Sequence, residues 1–108
     1  MSRAVVENVS LEDLKKGLAD GSILLVDIRE ANEWAEGRIP GATFHPLSAF
    51  DPEKLPRGEG QRVVLQCRSG RRSQMALEAA QQAGRADVTA HFGGGMLEWM
   101  AAGEKIDR

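Results

Sequence analysis

Two short apolar runs stand out in a largely polar chain. Ile23-Leu24-Leu25-Val26 and Val63-Val64-Leu65 contain no polar residue, which marks strands covered on both faces. Elsewhere the apolar spacing changes to three and four. Leu11, Leu14 and Leu18 predict a helix that starts after Ser10 as N-cap, with Asp13 three positions on, and stops at Asp20-Gly21. Gly17 inside that helix is expected to weaken it by ~1 kcal/mol relative to alanine. Ala76, Ala79, Ala80 and Ala83 predict a second helix over about residues 72–83, ended by Gly84, whose small-residue face can approach a sheet closely.

Weaker signals fill the gaps. Val5-Val6 reads as a first strand, residues 30–36 as a short helix closed by Gly37, and Pro40-Gly41 as a turn. Thr43-Phe44-His45 reads as a strand, residues 47–55 hold one helical turn, and residues 56–60 form a polar loop. Val88-Thr89-Ala90 is a further strand, and Gly93-Gly94-Gly95 a flexible turn before a last helix near residues 96–102. Strands alternating with helices predict an α/β fold. We expect a single three-layer α/β/α domain over residues 1–108, with a central, mainly parallel five-stranded sheet. In such sheets ligands bind beyond the carboxyl ends of the strands.

Composition narrows the function. With 108 residues, 42% hydrophobic and 28% charged, the chain can build one core. A net charge of −2 offers no basic field, so no nucleic-acid partner is expected. The longest apolar run is too short to span a membrane. The single cysteine excludes an intramolecular disulfide, a multi-cysteine metal site and a resolving thiol in the same chain. His45 and His91 have no metal-ligand spacing with each other or with Cys67, so neither metal nor cofactor is expected. Residues 1–10 show no basic stretch leading into an apolar run, and Cys67 reads as a free, exposed thiol best kept reduced. Both point to a cytoplasmic location.

Within this acidic chain, Arg68, Arg71 and Arg72 cluster beside Cys67. Cys67 follows a predicted strand, and the residues after it, Arg68-Ser69-Gly70-Arg71-Arg72-Ser73, lead into a predicted helix. If this loop curls, its backbone N–H groups and those of the first helical turn converge on one point. Gly70 supplies backbone freedom, and Ser69 and Ser73 bring hydroxyl donors. Such a cradle favours a thiolate. A thiol of pKa ~8.5 is only about 3% ionised at pH 7, whereas a two-unit drop makes it roughly three-quarters thiolate. The bland alternative, an inert core cysteine, fits poorly with the arginines and glycine that follow.

Four stretches in order resemble the single-domain rhodanese (thiosulfate sulfurtransferase-like) family. They are Leu25-Val26-Asp27-Ile28-Arg29-Glu30 with Glu33-Trp34, then Gly37-Arg38-Ile39-Pro40-Gly41-Ala42, then Cys67 to Ser73, then Phe92-Gly93-Gly94-Gly95-Met96-Leu97-Glu98-Trp99. Arg38 stands where that family usually has histidine. The resemblance implies a sulfurtransferase in which Cys67 is the nucleophile and carries a persulfide. It implies a small anionic donor such as thiosulfate, bound by Arg68, Ser69, Gly70, Arg71, Arg72 and Ser73, with Arg72 and Arg71 favoured over Arg68. The acceptor is cyanide or an external thiol, including a protein thiol. Asp27 and Arg29 are expected to pair structurally, and Trp34 and Trp99 to pack in the core.

Two other functions compete. A protein-partnered sulfur carrier or regulatory module would use the same persulfide. A cysteine phosphatase or arsenate reductase would place five residues between cysteine and arginine, whereas four separate Cys67 from Arg72 and position 73 is Ser. The shorter loop suits a sulfur atom better than a tetrahedral oxyanion.

Overall fold

The computed structural model describes residues 3–108; Met1 and Ser2, which begin the stretch read for a leader, lie outside the described residues. Five strands form: β1 (Glu7–Asn8), β2 (Ile23–Asp27), β3 (Thr43–Phe44), β4 (Arg62–Gln66) and β5 (Ala90–His91). The helices are α1 (Leu11–Asp20), α2 (Ala31–Glu36), α3 (Arg71–Gln82) and α4 (Gly95–Ala101), with 3-10 turns at Leu47–Ala49 and Pro52–Lys54. The sheet order is β1-β5-β4-β2-β3 and every pairing is parallel. The expected α/β architecture is therefore present, with a wholly parallel sheet.

The two apolar runs form its centre. β2 and β4 pair along their full length, from Ile23 beside Arg62 to Asp27 beside Gln66. Alternate residues serve opposite faces, as the strand period dictates. Leu25 and Val64 pack with Leu14, Phe92, Met96 and Trp99 on one side. Val26, Val63 and Leu65 pack with Ala76, Leu77 and Ala80 of α3 on the other.

Several local expectations shift. Strand β1 forms at Glu7–Asn8, not at Val5-Val6, both of which are exposed; the buried apolar anchor of this segment is Val9. Strand β5 lies two residues later than the apolar pattern of Val88-Thr89-Ala90 suggests. Val88 is buried, but its N–H is taken by Arg85 O in a turn and its carbonyl by the Gln81 side chain. The buried stripe of α3 is Ser73, Ala76, Leu77 and Ala80; Ala79 and Ala83 face solvent. Trp99 joins the core as expected, but Trp34 is only half-buried, tilted against Phe44 with the Arg38 guanidinium 5.1 Å from its ring centroid.

The chain runs outward from β2 to β3, then returns to place β4 on β2's other side. The order thus reverses at the carboxyl ends of β2 and β4, which is where open parallel sheets gather ligands. A buried pair braces that end. Asp27 and Arg29 are 0% and 5% exposed, and the guanidinium bonds the carboxylate at 2.8–3.1 Å and Gly37 O at 2.8 Å. This is the structural pairing the sequence suggested. Among the described residues no helix is long and apolar enough to cross a membrane.

Candidate active site

Cys67 follows the last residue of β4, and four residues, Cys67 to Gly70, separate strand from helix because α3 already begins at Arg71, one residue before the expected start. The thiol is buried beneath this loop at 1% exposure, which corrects the expectation of an exposed side chain. The loop folds over it for identifiable reasons. Gly70 is the N-cap of α3, with φ 91 and no side chain to cap the helix. The cysteine sulfur takes the cap's place, accepting from Gly70 N at 3.1 Å and from Ser73 N, the third helical residue, at 3.4 Å. A Cβ at position 70 would stand 2.3 Å from Gly93 O, so only glycine permits both the left-handed turn and the contact.

The triple-glycine segment holds the loop from the far side. The start of α4 donates Met96 N to Cys67 O at 2.9 Å and Leu97 N to Arg68 O at 3.0 Å. Gly95, at φ 60, lies so close that a Cβ there would be 2.5 Å from Arg68 O. The flexible turn expected at Gly93-Gly94-Gly95 is thus a fixed contact surface for the cysteine loop.

Electrostatics follow from this cage. Burial pushes the Cys67 thiol up, but the Ser73 backbone and hydroxyl and the backbone N–H groups of Ser69 and Gly70 outweigh it, and the thiol sits below its ordinary value. The Ser73 hydroxyl lies 3.7 Å from the sulfur. It also contacts Gly70 O at 3.1 Å and His91 Nδ1 at 2.7 Å.

The three arginines part company. Arg72 makes a bidentate pair with Glu33 of α2, at 2.8 and 2.9 Å, and its side chain makes no hydrogen bond to the sulfur. That hydrogen bond holds the Glu33 carboxyl down to about 2. Arg68 is exposed and lines a groove of about 380 Å³ with Arg29, Met96, Leu97 and Met100. Arg71 is also exposed and lines a second recess of about 490 Å³ with Asn8, Ser69, Gln74 and His91. Among the described residues no arginine side chain donates to the sulfur, and no cluster of three His, Cys, Asp or Glu side chains could hold a metal.

Sequence reasoning missed Glu33 as the partner of Arg72 and His91 as the neighbour of Ser73. Glu33 offered a faint signal, its place beside Trp34 in the first matched motif. His91 offered none, since a lone histidine near glycines names no partner.

Comparison with known proteins agrees with this geometry. Residues 10–102 match the model of the rhodanese-like domain. An uncharacterized protein of Synechocystis is 35% identical over 105 residues, which cover 95% of this chain and 58% of that protein. The chain therefore spans little more than half of that relative's length. The human thiosulfate:glutathione sulfurtransferase is 31% identical over 106 residues, covering 85% of this chain and 91% of that one. A solved human single-domain sulfurtransferase superposes with a TM-score of 0.71 at 30% identity, covering 87% and 95% of the two chains.

Proposed function

This chain belongs to the rhodanese-like domain family, and from that premise we propose that it transfers sulfane sulfur from thiosulfate, or a donor like it, to a thiophilic acceptor through a persulfide on Cys67. The observation that carries the reading is the sulfur of Cys67 seated as the cap of α3, on the N–H groups of Gly70 and Ser73. An ionised sulfur is both stabilised and aimed there.

In the first half-reaction the Cys67 thiolate attacks the outer sulfur of thiosulfate. A Cys67–S–S bond forms, the donor's S–S bond breaks, and sulfite leaves with the electron pair. In the second, cyanide or a thiolate attacks the terminal sulfur and Cys67 thiolate is regenerated. With no second cysteine in the chain, discharge requires an external acceptor. Burial of the thiol supports a slender donor, since a single terminal sulfur reaches down the loop where a tetrahedral centre does not. Arg68 and Arg71, exposed on the two recesses, are the cations free to draw in the dianion. A lone reactive thiol suits a reducing compartment such as the cytoplasm.

Phosphatase or arsenate chemistry is disfavoured by Arg72. The loop arginine that would have to clamp an oxyanion is engaged by Glu33 instead. A protein as sulfur acceptor draws support from one feature: Leu97 and Met100 are 45% and 52% exposed on the groove that Arg68 lines. Transfer to a protein thiol would use the same persulfide.

Intact-mass spectrometry after incubation with thiosulfate tests the proposal. The expected result is a gain of one sulfur atom, lost on adding cyanide and absent in Cys67→Ser. No gain in a sample whose thiol is demonstrably reduced would sink it.

A further inference from the structure

Behind the cysteine loop a buried chain of three polar side chains runs from Cys67 through Ser73 to His91, and the proposed chemistry has so far given its far end, His91, no part. Their exposures are 1%, 0% and 5%. Ser73 Oγ stands between the other two, 3.7 Å from Cys67 Sγ and 2.7 Å from His91 Nδ1. Its third neighbour is Gly70 O at 3.1 Å.

A hydroxyl has one proton, and three neighbours compete for it. Gly70 O can only accept. It does not depend on Ser73, because Gln74 N also donates to it at 3.1 Å. While Cys67 is a thiol, its S–H can donate to Ser73 Oγ and the hydroxyl can donate to Gly70 O. Once the thiol proton leaves for solvent, the sulfur can only accept, and the hydroxyl must turn toward it to add a side-chain donor to the backbone N–H groups around it. The imidazole decides whether that turn succeeds. If Nδ1 is an acceptor, it lies 1 Å closer to Ser73 Oγ than the sulfur does and takes the proton. If Nδ1 carries a hydrogen, it donates to the Ser73 lone pair and leaves the hydroxyl proton free for the sulfur.

We propose that His91 is a positioning residue for Cys67: its Nδ1–H donates to Ser73 Oγ and thereby aims the Ser73 hydroxyl at the thiolate and, later, at the persulfide. This rests on the reading of Cys67 as the working nucleophile, and it gives the buried histidine of β5 a part in the reaction. Burial also depresses the imidazole below its ordinary value and so keeps it neutral near pH 7. In that neutral tautomer Nε2 is the acceptor, and the polar recess that His91 lines with Asn8, Arg71 and Gln74 gives it access to water.

Alkylation of the reduced protein by iodoacetamide, followed against pH, reads the thiolate without any sulfur donor. His91→Leu is expected to slow alkylation below the wild-type thiol pKa about tenfold, equivalent to a rise of about one unit. His91→Asn, whose amide N–H reaches the Nδ1 position, is expected to stay within about threefold of wild type, while His91→Gln behaves like His91→Leu. In a Ser73→Ala background, His91→Leu is expected to change nothing further. A wild-type pH profile in folded His91→Leu overturns the proposal, as does an equal slowing in the Ser73→Ala background. If His91→Leu does not fold, the Asn and Gln variants decide, and equal rates for those two overturn it. Absence of persulfide in the wild type would count against the sulfurtransferase reading and leave this titration interpretable.

Discussion

Arg72 grips Glu33 with its two terminal guanidinium nitrogens, at 2.8 and 2.9 Å, and so joins the head of α3 to α2. Both side chains are partly exposed, at 31% and 23%, so solvent screening limits the pair's worth. Glu33 is a carboxyl whose folded pKa is lowered, from 4.5 to about 2. Its contribution to stability is therefore complete above its unfolded value and is lost as pH falls toward about 2. Arg72→Ala is expected to cost about 1 kcal/mol at neutral pH. The gap from wild type should close on acidification below the unfolded carboxyl value. Urea melts of both proteins over that range measure it, and a gap independent of pH would show that Glu33 is not the partner that matters.

The same placement reorders the arginines for substrate. Arg68→Ala and Arg71→Ala are each expected to raise the thiosulfate KM by about tenfold, the effect of one charge-assisted contact. Arg72→Ala is expected to change KM by less than either. Steady-state kinetics on the three variants decides the order. A dominant effect at Arg72 would mean that the Glu33 pair opens to admit the donor.

Cys67 has a lowered folded pKa because its donors outweigh burial. The sign is that of an acid: thiolate stabilisation is fully present above the unfolded thiol value of 9.0 and is lost as pH falls through the lower folded value. The melting temperature of the wild type relative to Cys67→Ser is therefore expected to rise as pH climbs from the folded value toward 9.0. Scanning calorimetry of the pair across that window checks it. A constant difference would mean that the fold does not perturb the thiol.

Much of this was legible from sequence. The two uninterrupted apolar runs located β2 and β4, because a strand buried on both faces has no polar position to hide. The loop was legible because a cysteine followed by Gly and Ser at a strand-to-helix junction has few other uses. Two of the short strands were less legible. Glu7–Asn8 and Ala90–His91 are two residues each, too short for periodicity to register, and their position is set by pairing rather than by side chains. Pairs distant in sequence, such as Arg72 with Glu33 and Ser73 with His91, carry no local pattern at all. Arg85 is a further case: 3% exposed, it bonds the carbonyls of Pro52, Leu55 and Pro56, and nothing near it in sequence announces that clamp.

Gln66 precedes the cysteine on β4 and is fully buried, yet among the described residues neither its amide nitrogen nor its amide oxygen has a partner. An unpaired buried amide costs about 1–3 kcal/mol. Gln66→Leu, which removes both polar atoms and keeps similar volume, is expected to leave stability unchanged or raise it. Chemical denaturation measures the change, and a marked loss would reveal an internal water that the amide holds.

Gly17 supplies the sharpest conflict between helix propensity and packing. It lies inside α1, where alanine is favoured over glycine by ~1 kcal/mol. Propensity alone says that Gly17→Ala should stabilise the protein. The structure says the reverse, because Gly17 is buried against β2. An added Cβ would lie 2.3 Å from Ile23 Cδ1, 2.4 Å from Cγ1 and 2.9 Å from Cβ. The last of these is fixed to the strand backbone, so a change of rotamer alone cannot relieve the clash, and the helix must move off the sheet. Overpacking of this kind costs about 1–3 kcal/mol, more than the propensity gain. Gly17→Ala is therefore expected to lower stability, and Gly17→Ala with Ile23→Val, which removes the nearest of these atoms, to recover part of the loss. Denaturant midpoints for the two variants test both statements; a stabilised Gly17→Ala would show that α1 can withdraw from β2 at no cost.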